Sequence, residues 1–283
     1  MKIRTLSLFL GIFLTSLVSL KAQEVGKEQS VLEPVYDNAV FYLGPTFGYN
    51  KSLHSYNIVS FESKDAPCPT FDQGNDNGYH LGFNLQIPFA TVNSKHSIIV
   101  RGLYSSLPSN SKVVSNTNLG SHVSDPNAQE GKDYFTDTRH VLEVDYKVAS
   151  VDVMYAFKPM QDLGFVFTIG PTFDFALTKK KTQKMELLST DPNIRFKPKD
   201  GYEYENDFKT LIVGGKNSDI DESNAFRFGF KVGAHYDINV EKVLVCPYIM
   251  YDMGVTKLAS GSNWRVNALM IGVDVRFSIK SPF

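Results

Sequence analysis

Phe226-Arg-Phe-Gly-Phe-Lys-Val-Gly-Ala-His-Tyr-Asp-Ile238 separates into two chemically distinct lists when every second residue is taken. One list is Phe226, Phe228, Phe230, Val232, Ala234, Tyr236 and Ile238; the other is Arg227, Gly229, Lys231, Gly233, His235 and Asp237. Only an extended chain sorts residues this way, because successive strand side chains point to opposite faces. The charges share their face with glycines, and the other face is uniformly apolar. A soluble sandwich or ligand-binding barrel would bury the large apolar face. A barrel set in lipid turns it outward and keeps the polar face for its lumen.

The same alternation recurs on both sides of this stretch. It is clean over Tyr79–Phe89 and Leu163–Leu177, and present in Ala39–Tyr49, where the second face is mostly small. Ser97–Leu107, Val243–Gly254 and Trp264–Ile279 repeat it less regularly. In His140–Phe157 the apolar parity changes, from Leu142, Val144, Tyr146 and Val148 to Val151, Val153, Tyr155 and Phe157, which predicts a bulge near Ala149 and Ser150. Eight strands result. Brief links near Thr91–Lys95, Lys158–Asp162 and Asn239–Lys242 alternate with polar stretches at Lys51–Asn77, Pro108–Thr138 and Lys179–Asn224. Lys257–Asn263, the last connection on the long side, is short. The expected fold is an all-β, eight-stranded, antiparallel up-and-down transmembrane β-barrel with long extracellular loops and short periplasmic turns.

The N-terminus supplies the export route. Lys2 and Arg4 precede an apolar run from Leu6 to about Leu17, followed by Ser19, Lys21 and Ala22, which has the form of a secretory signal peptide over residues 1–22. Residues 23–38 are expected to be a short periplasmic lead, and 39–283 the barrel. The formal net charge of −1 gives no general attraction to nucleic acid. Counting back by twos from Phe283, the matching parity carries Ile279, Phe277, Val275, Val273, Ile271 and Leu269. That pattern resembles the C-terminal signal by which outer-membrane barrels engage the barrel-assembly machinery, with Phe277, Ile279 and Phe283 as its elements.

Two segments resemble a known family. Phe167-Thr168-Ile169-Gly170-Pro171-Thr172-Phe173 is similar to the Gly-Pro strand of the outer-membrane β-barrel domain family that includes PorT-like proteins. His140-Val141-Leu142-Glu143-Val144 is similar to its Leu-Glu-Ile strand, with Asp145 where a proline is common. The resemblance implies a small barrel of a Gram-negative envelope, placed in the outer membrane with lipid as its solvent, and a role supporting secretion. Leu43-Gly44-Pro45-Thr46-Phe47-Gly48-Tyr49 echoes the Gly-Pro strand, which convergent strand chemistry explains as well as duplication does.

The inward parity supplies Arg101, Asp152, Asp174, Arg227, Lys231, Asp237, Asp252, Asp274 and Arg276. A narrow barrel is filled by its own side chains, so these charges are expected to pair in a structural lumen network, with Asp174–Arg227 and Arg101–Asp152 as candidate pairs. A gate or proton path is the functional alternative.

Enzyme signatures are absent: there is no Gly-x-Ser-x-Gly elbow, His-Glu-x-x-His helix or phosphate-binding glycine loop. No cofactor or metal motif occurs among the scattered histidines. His80 and His140, with Glu143, are the residues on which a rim-active enzyme would rest. Cys68 and Cys246 are expected not to bridge, since they fall at different heights. Lys179, Lys180, Lys181 and Lys184 are either a headgroup-binding cluster or a solvated charge run. The expected function is a non-enzymatic envelope scaffold, or a membrane component of a secretion or surface assembly with an envelope protein partner. A narrow channel for small solutes and a rim-active outer-membrane lipid-modifying enzyme or protease are the alternatives.

Overall fold

The computed structural model describes residues 39–59, 69–89, 94–115, 123–124, 133–134, 136–160, 163–191, 194–198, 200–240 and 243–280. The signal peptide, the lead, Cys68, His122 and Phe283 lie outside the described residues. Among the described residues fifteen strands follow in chain order: β1 (Ala39–Val59), β2 (Thr70–Pro88), β3 (His96–Ser106), β4 (Ser109–Ser115), β5 (Val123–Ser124), β6 (Asp133–Tyr134), β7 (Thr138–Phe157), β8 (Phe165–Leu187), β9 (Arg195–Phe196), β10 (Glu203–Glu205), β11 (Thr210–Asp219), β12 (Phe226–Tyr236), β13 (Ile238–Val240), β14 (Val243–Gly254) and β15 (Arg265–Lys280).

Pairing β1–β2–β3–β7–β8–β12–β14–β15 returns to β1, so eight antiparallel strands close into a barrel and no edge remains in this ring. β4 continues β3 along β7, and β13 continues β12 along β14. Outside the ring, β11 adds to the far half of β8, β10 adds to β11, and β6, β5 and β9 form a small separate sheet.

The outer surface carries a belt of exposed apolar side chains, among them Phe47, Leu81, Phe83 (68% exposed), Val153, Phe167, Ile169, Phe230, Val232, Ile249 and Ile271. An apolar surface of this extent suits lipid, not water. The chain is a membrane β-barrel.

The strands are longer than the sequence suggests. About 9–11 tilted residues cross a bilayer, whereas β1 has 21, β2 19, β7 20 and β8 23. Much of Lys51–Asn77, Pro108–Thr138 and Lys179–Asn224, expected to be loop, is therefore wall. Beyond Tyr49 the inward residues of β1 are Asn50, Ser52 and His54, all buried, and the outward ones include Lys51 and Ser55. With polar residues on both faces, alternation leaves no hydropathy signal.

The bulge expected near Ala149 and Ser150 is not in β7. Its even-numbered residues face inward from Thr138 to Ala156 without interruption. The apolar parity changes because the surroundings change. Within the belt Val151, Val153, Tyr155 and Phe157 face lipid; above it, where the exterior is aqueous, Leu142, Val144, Tyr146 and Val148 form an inward core with Tyr56, Phe71, Leu107, Leu258 and Trp264. Burying each such side chain is worth about 1.5–3 kcal/mol. A register shift does occur next door, where Lys147 and Val148 face Thr178 and Ala176, leaving Leu177 as the extra residue on β8.

Candidate functional site: the lumen

The inward face of the membrane belt is filled by charge. Arg227 and Asp174 are direct register partners on β12 and β8, and the Arg227 Nε donates to Asp174 Oδ2 at 2.5 Å. Its Nη2 donates to Asp252 Oδ2 at 2.7 Å and its Nη1 to the Val266 carbonyl at 2.5 Å. Lys231 donates to both oxygens of Asp152, at 2.8 and 2.9 Å, and the Thr172 hydroxyl donates to Asp152 Oδ1 at 2.6 Å. Arg101 donates to Asp274 Oδ2 at 2.7 Å, and Arg276 donates to the same oxygen and to Gln86 Oε1.

Arg101 and Asp152 are register partners across β3 and β7, yet each finds its ion partner elsewhere. Arg101 turns to β15 instead, with its guanidinium carbon 4.7 Å from the centre of the Tyr248 ring. The cations Arg101, Arg227, Lys231 and Arg276 thus meet the carboxylates of Asp152, Asp174, Asp252 and Asp274, all of them buried. Balance matters here, because an unpaired charge in this setting costs several kcal/mol.

Asp237 lies apart, toward the short-turn end. Its Oδ1 accepts from the Cys246 thiol at 3.2 Å and lies 3.2 Å from His235 Nε2. Cys246 is a buried free thiol. Among the described residues no group of His, Cys, Asp or Glu is arranged to hold a metal ion.

A hub that sequence reasoning passed over sits between the ion pairs. His80 bonds through Nδ1 to Asn50 Oδ1 at 2.5 Å and through Nε2 to the Tyr248 hydroxyl, which also contacts Thr46 Oγ1 at 3.1 Å. Gly48 and Gly272 are register partners and both belong to the inward parity. A Cβ on Gly48 would come within 2.6 Å of His80 Cε1, and one on Gly272 within 2.6 Å of the Tyr248 ring. Their missing side chains are the space these two rings occupy. Tyr248 was legible as inward, since it shares parity with Cys246 and Asp252; its partners were not.

Above the hub the lumen turns apolar. Trp264 packs edge-on against Tyr56 with ring centres 5.2 Å apart, and its indole donates to His54 Nδ1 at 3.0 Å. His54 Nε2 faces the Leu107 carbonyl at 3.0 Å. Burial pushes the His54 pKa down to about 3, so the ring is neutral and acts as donor to Leu107 and acceptor from Trp264.

The histidine and acid of a rim enzyme are not assembled. His80 is in register through Ser105 with Val148, which lies eight residues along β7 from His140, or about 26 Å at ~3.3 Å per residue. Glu143 has the outward parity and pairs with Lys184 at 3.0 Å. The lysine run is also engaged: Lys180 with Asp219 at 2.8 Å, Lys181 with Asp221 at 2.7 Å, and Lys179 with the Ser223 carbonyl at 3.2 Å. Phe277 and Ile279 are exposed on the outer face of β15.

No family model matches the sequence, and no curated protein matches it. Solved structures do. The crystal structure of Neisserial surface protein A is 11% identical with a TM-score of 0.36, over 85% of this chain and 98% of that one. The outer membrane protein AlkL, solved by solid-state NMR in lipid bilayers, is 14% identical with a TM-score of 0.40, over 92% and 98%. The outer membrane protease OmpT from Escherichia coli is 8% identical with a TM-score of 0.34, over 87% and 98%. At such values the fold of the present chain stands on its own strand pairing.

Proposed function

We propose that the chain is exported through residues 1–22, inserts into the outer membrane as a closed, non-conducting barrel, and serves there as a scaffold within a surface or secretion assembly. The observation that carries this reading is the filled lumen: a balanced layer of ion pairs through the belt, capped by Tyr56, Tyr146 and Trp264, each no more than 3% exposed. A solute path would need inward side chains in contact with water, and a catalytic site would need a base and an acid within reach of each other.

What remains available for contact is the raised wall formed by β1, β2, β4, β7, β8 and β11 beyond the belt. A partner of the envelope would meet it there, and the PorT-like resemblance agrees with that role. Planar-bilayer recording on the refolded chain tests closure: an electrically silent membrane is expected, and a steady conductance overturns it. Crosslinking in whole cells tests the assembly, with one near-stoichiometric partner expected on mass spectrometry and recovery of the barrel alone counting against it.

A further inference from the structure

The lipid-facing belt is not smooth. On β15, β1 and β2 a depression of about 510 Å³ opens outward, with Gly48 and Gly272 at its floor. Phe47, Tyr49, Tyr79, Leu81, Ile271 and Val273 surround it. On the lumen side of this floor His80 and Tyr248 pack against the two glycines.

Immediately above, the register changes character in one step. Tyr49 stands between Ile271 and Tyr79; the next outward residue of β1, Lys51, stands between Leu269 and Asn77. Asn77 Oδ1 accepts from the Tyr49 hydroxyl and from the Lys51 ammonium, the latter at 3.2 Å. Lys51 has no carboxylate within ion-pair distance among the described residues. The Asp76 carboxylate accepts instead from the Asn77 backbone N–H at 2.8 Å. This separates Lys51 from Lys180, Lys181 and Lys184, whose charges are met by acids of the same chain.

We propose that the depression and Lys51 together form a binding site for one phosphate-bearing membrane lipid. An acyl chain lies over the Gly48–Gly272 floor between the aromatic side chains, and the headgroup phosphate is held by the Lys51 ammonium at the boundary of the belt. A long amine at the boundary of an apolar belt extends to headgroup level and meets anionic lipid there. The tyrosine rings at the same level have the amphipathic character that membrane interfaces favour. The site rests on the membrane reading of the barrel.

The test uses the full-length protein in phosphatidylcholine vesicles that carry a minor fraction of phosphatidylglycerol with a photoactivatable acyl chain. Crosslinked peptides are then mapped by mass spectrometry. Labelling is expected to concentrate severalfold on Phe47–Tyr49, Tyr79–Leu81 and Ile271–Val273 relative to Phe165–Ile169 and Val232–Tyr236. Lys51→Gln, at a half-exposed position of β1, is expected to remove most of that preference, while substitution of Lys180 and Lys181 by Gln leaves it in place. Labelling spread evenly around the belt, or unchanged in Lys51→Gln, overturns the site alone. Absence of label from every belt peptide overturns the site and the membrane reading together.

Discussion

Trp264 donates its indole N–H to His54 Nδ1 at 3.0 Å, joining the last connection of the chain to the wall of β1 inside the apolar cap. This fixes the sign of a pH effect. His54 titrates near 6.5 when unfolded and at about 3 when folded, so the unfolded chain binds the extra proton between those values. Stability of the cap is therefore full above about pH 6.5 and falls as the pH drops toward 3. Trp264 is the only tryptophan and reports directly on the cap. Its urea midpoint is expected to fall between pH 7 and pH 4, and less steeply in His54→Gln. Parallel pH profiles for the two proteins would show that the acid sensitivity arises elsewhere; His140, also lowered by burial, acts in the same direction.

The Arg227 cluster separates pairing from charge as such. Arg227→Met leaves Asp174 and Asp252 buried without their shared cation, and about 3–5 kcal/mol of destabilisation is expected. Asp174→Asn added to Arg227→Met is expected to recover part of the loss, because the uncompensated charge is reduced. Guanidinium unfolding of the two variants in detergent, followed by heat-modifiable gel migration, checks the order. A double variant no more stable than the single one would show that the bond to Val266 O, not charge balance, dominates.

The ring of eight strands was legible because the lipid belt imposes one rule on every strand, as in Phe226–Ile238. The rule fails above the belt. Asn50, Ser52 and His54 face inward while Lys51 and Ser55 face outward, and polar residues on both faces conceal the strand. In β7 the inversion of surroundings imitates a bulge, although the backbone alternation is unbroken. Parity also identifies which charges face the lumen but not which strand supplies each partner. Arg101 prefers Asp274 on β15 to its register neighbour Asp152 because the long guanidinium spans the lumen and stacks on Tyr248. The His80–Tyr248 hub depends on two glycines meeting in register, a fact of pairing that no single strand contains.

Those glycines give a stability test with an internal control. A Cβ on Gly48 would stand 2.2 Å from the Ile271 carbonyl oxygen, a backbone atom unable to move aside without shifting the strand. Gly48→Ala is expected to lose about 1–3 kcal/mol, as overpacked interiors do. Gly102 has open space around its added Cβ, and Gly102→Ala is expected to be neutral or mildly stabilising. Equal melting temperatures for Gly48→Ala and the parent would mean that the wall relaxes around the methyl group.

β7 supports the last and most discriminating comparison, because one strand crosses two surroundings in one register. Val153 faces lipid and Val144 faces the outer core. Val153→Arg places a cation in the belt at a cost of about 2–4 kcal/mol near the bilayer midplane. It is expected to reduce insertion, seen as loss of the fast-migrating folded form in unboiled samples. Val144→Asp places a carboxylate among Tyr146, Leu142 and Trp264, where desolvation penalises it, but leaves the belt unchanged. It is expected to insert normally while the Trp264 emission shifts toward that of exposed indole. If both variants fail to insert, the outer core is required for the barrel to close and the two halves of the wall fold as one unit. If Val153→Arg inserts without loss, the belt assigned to β7 does not face lipid.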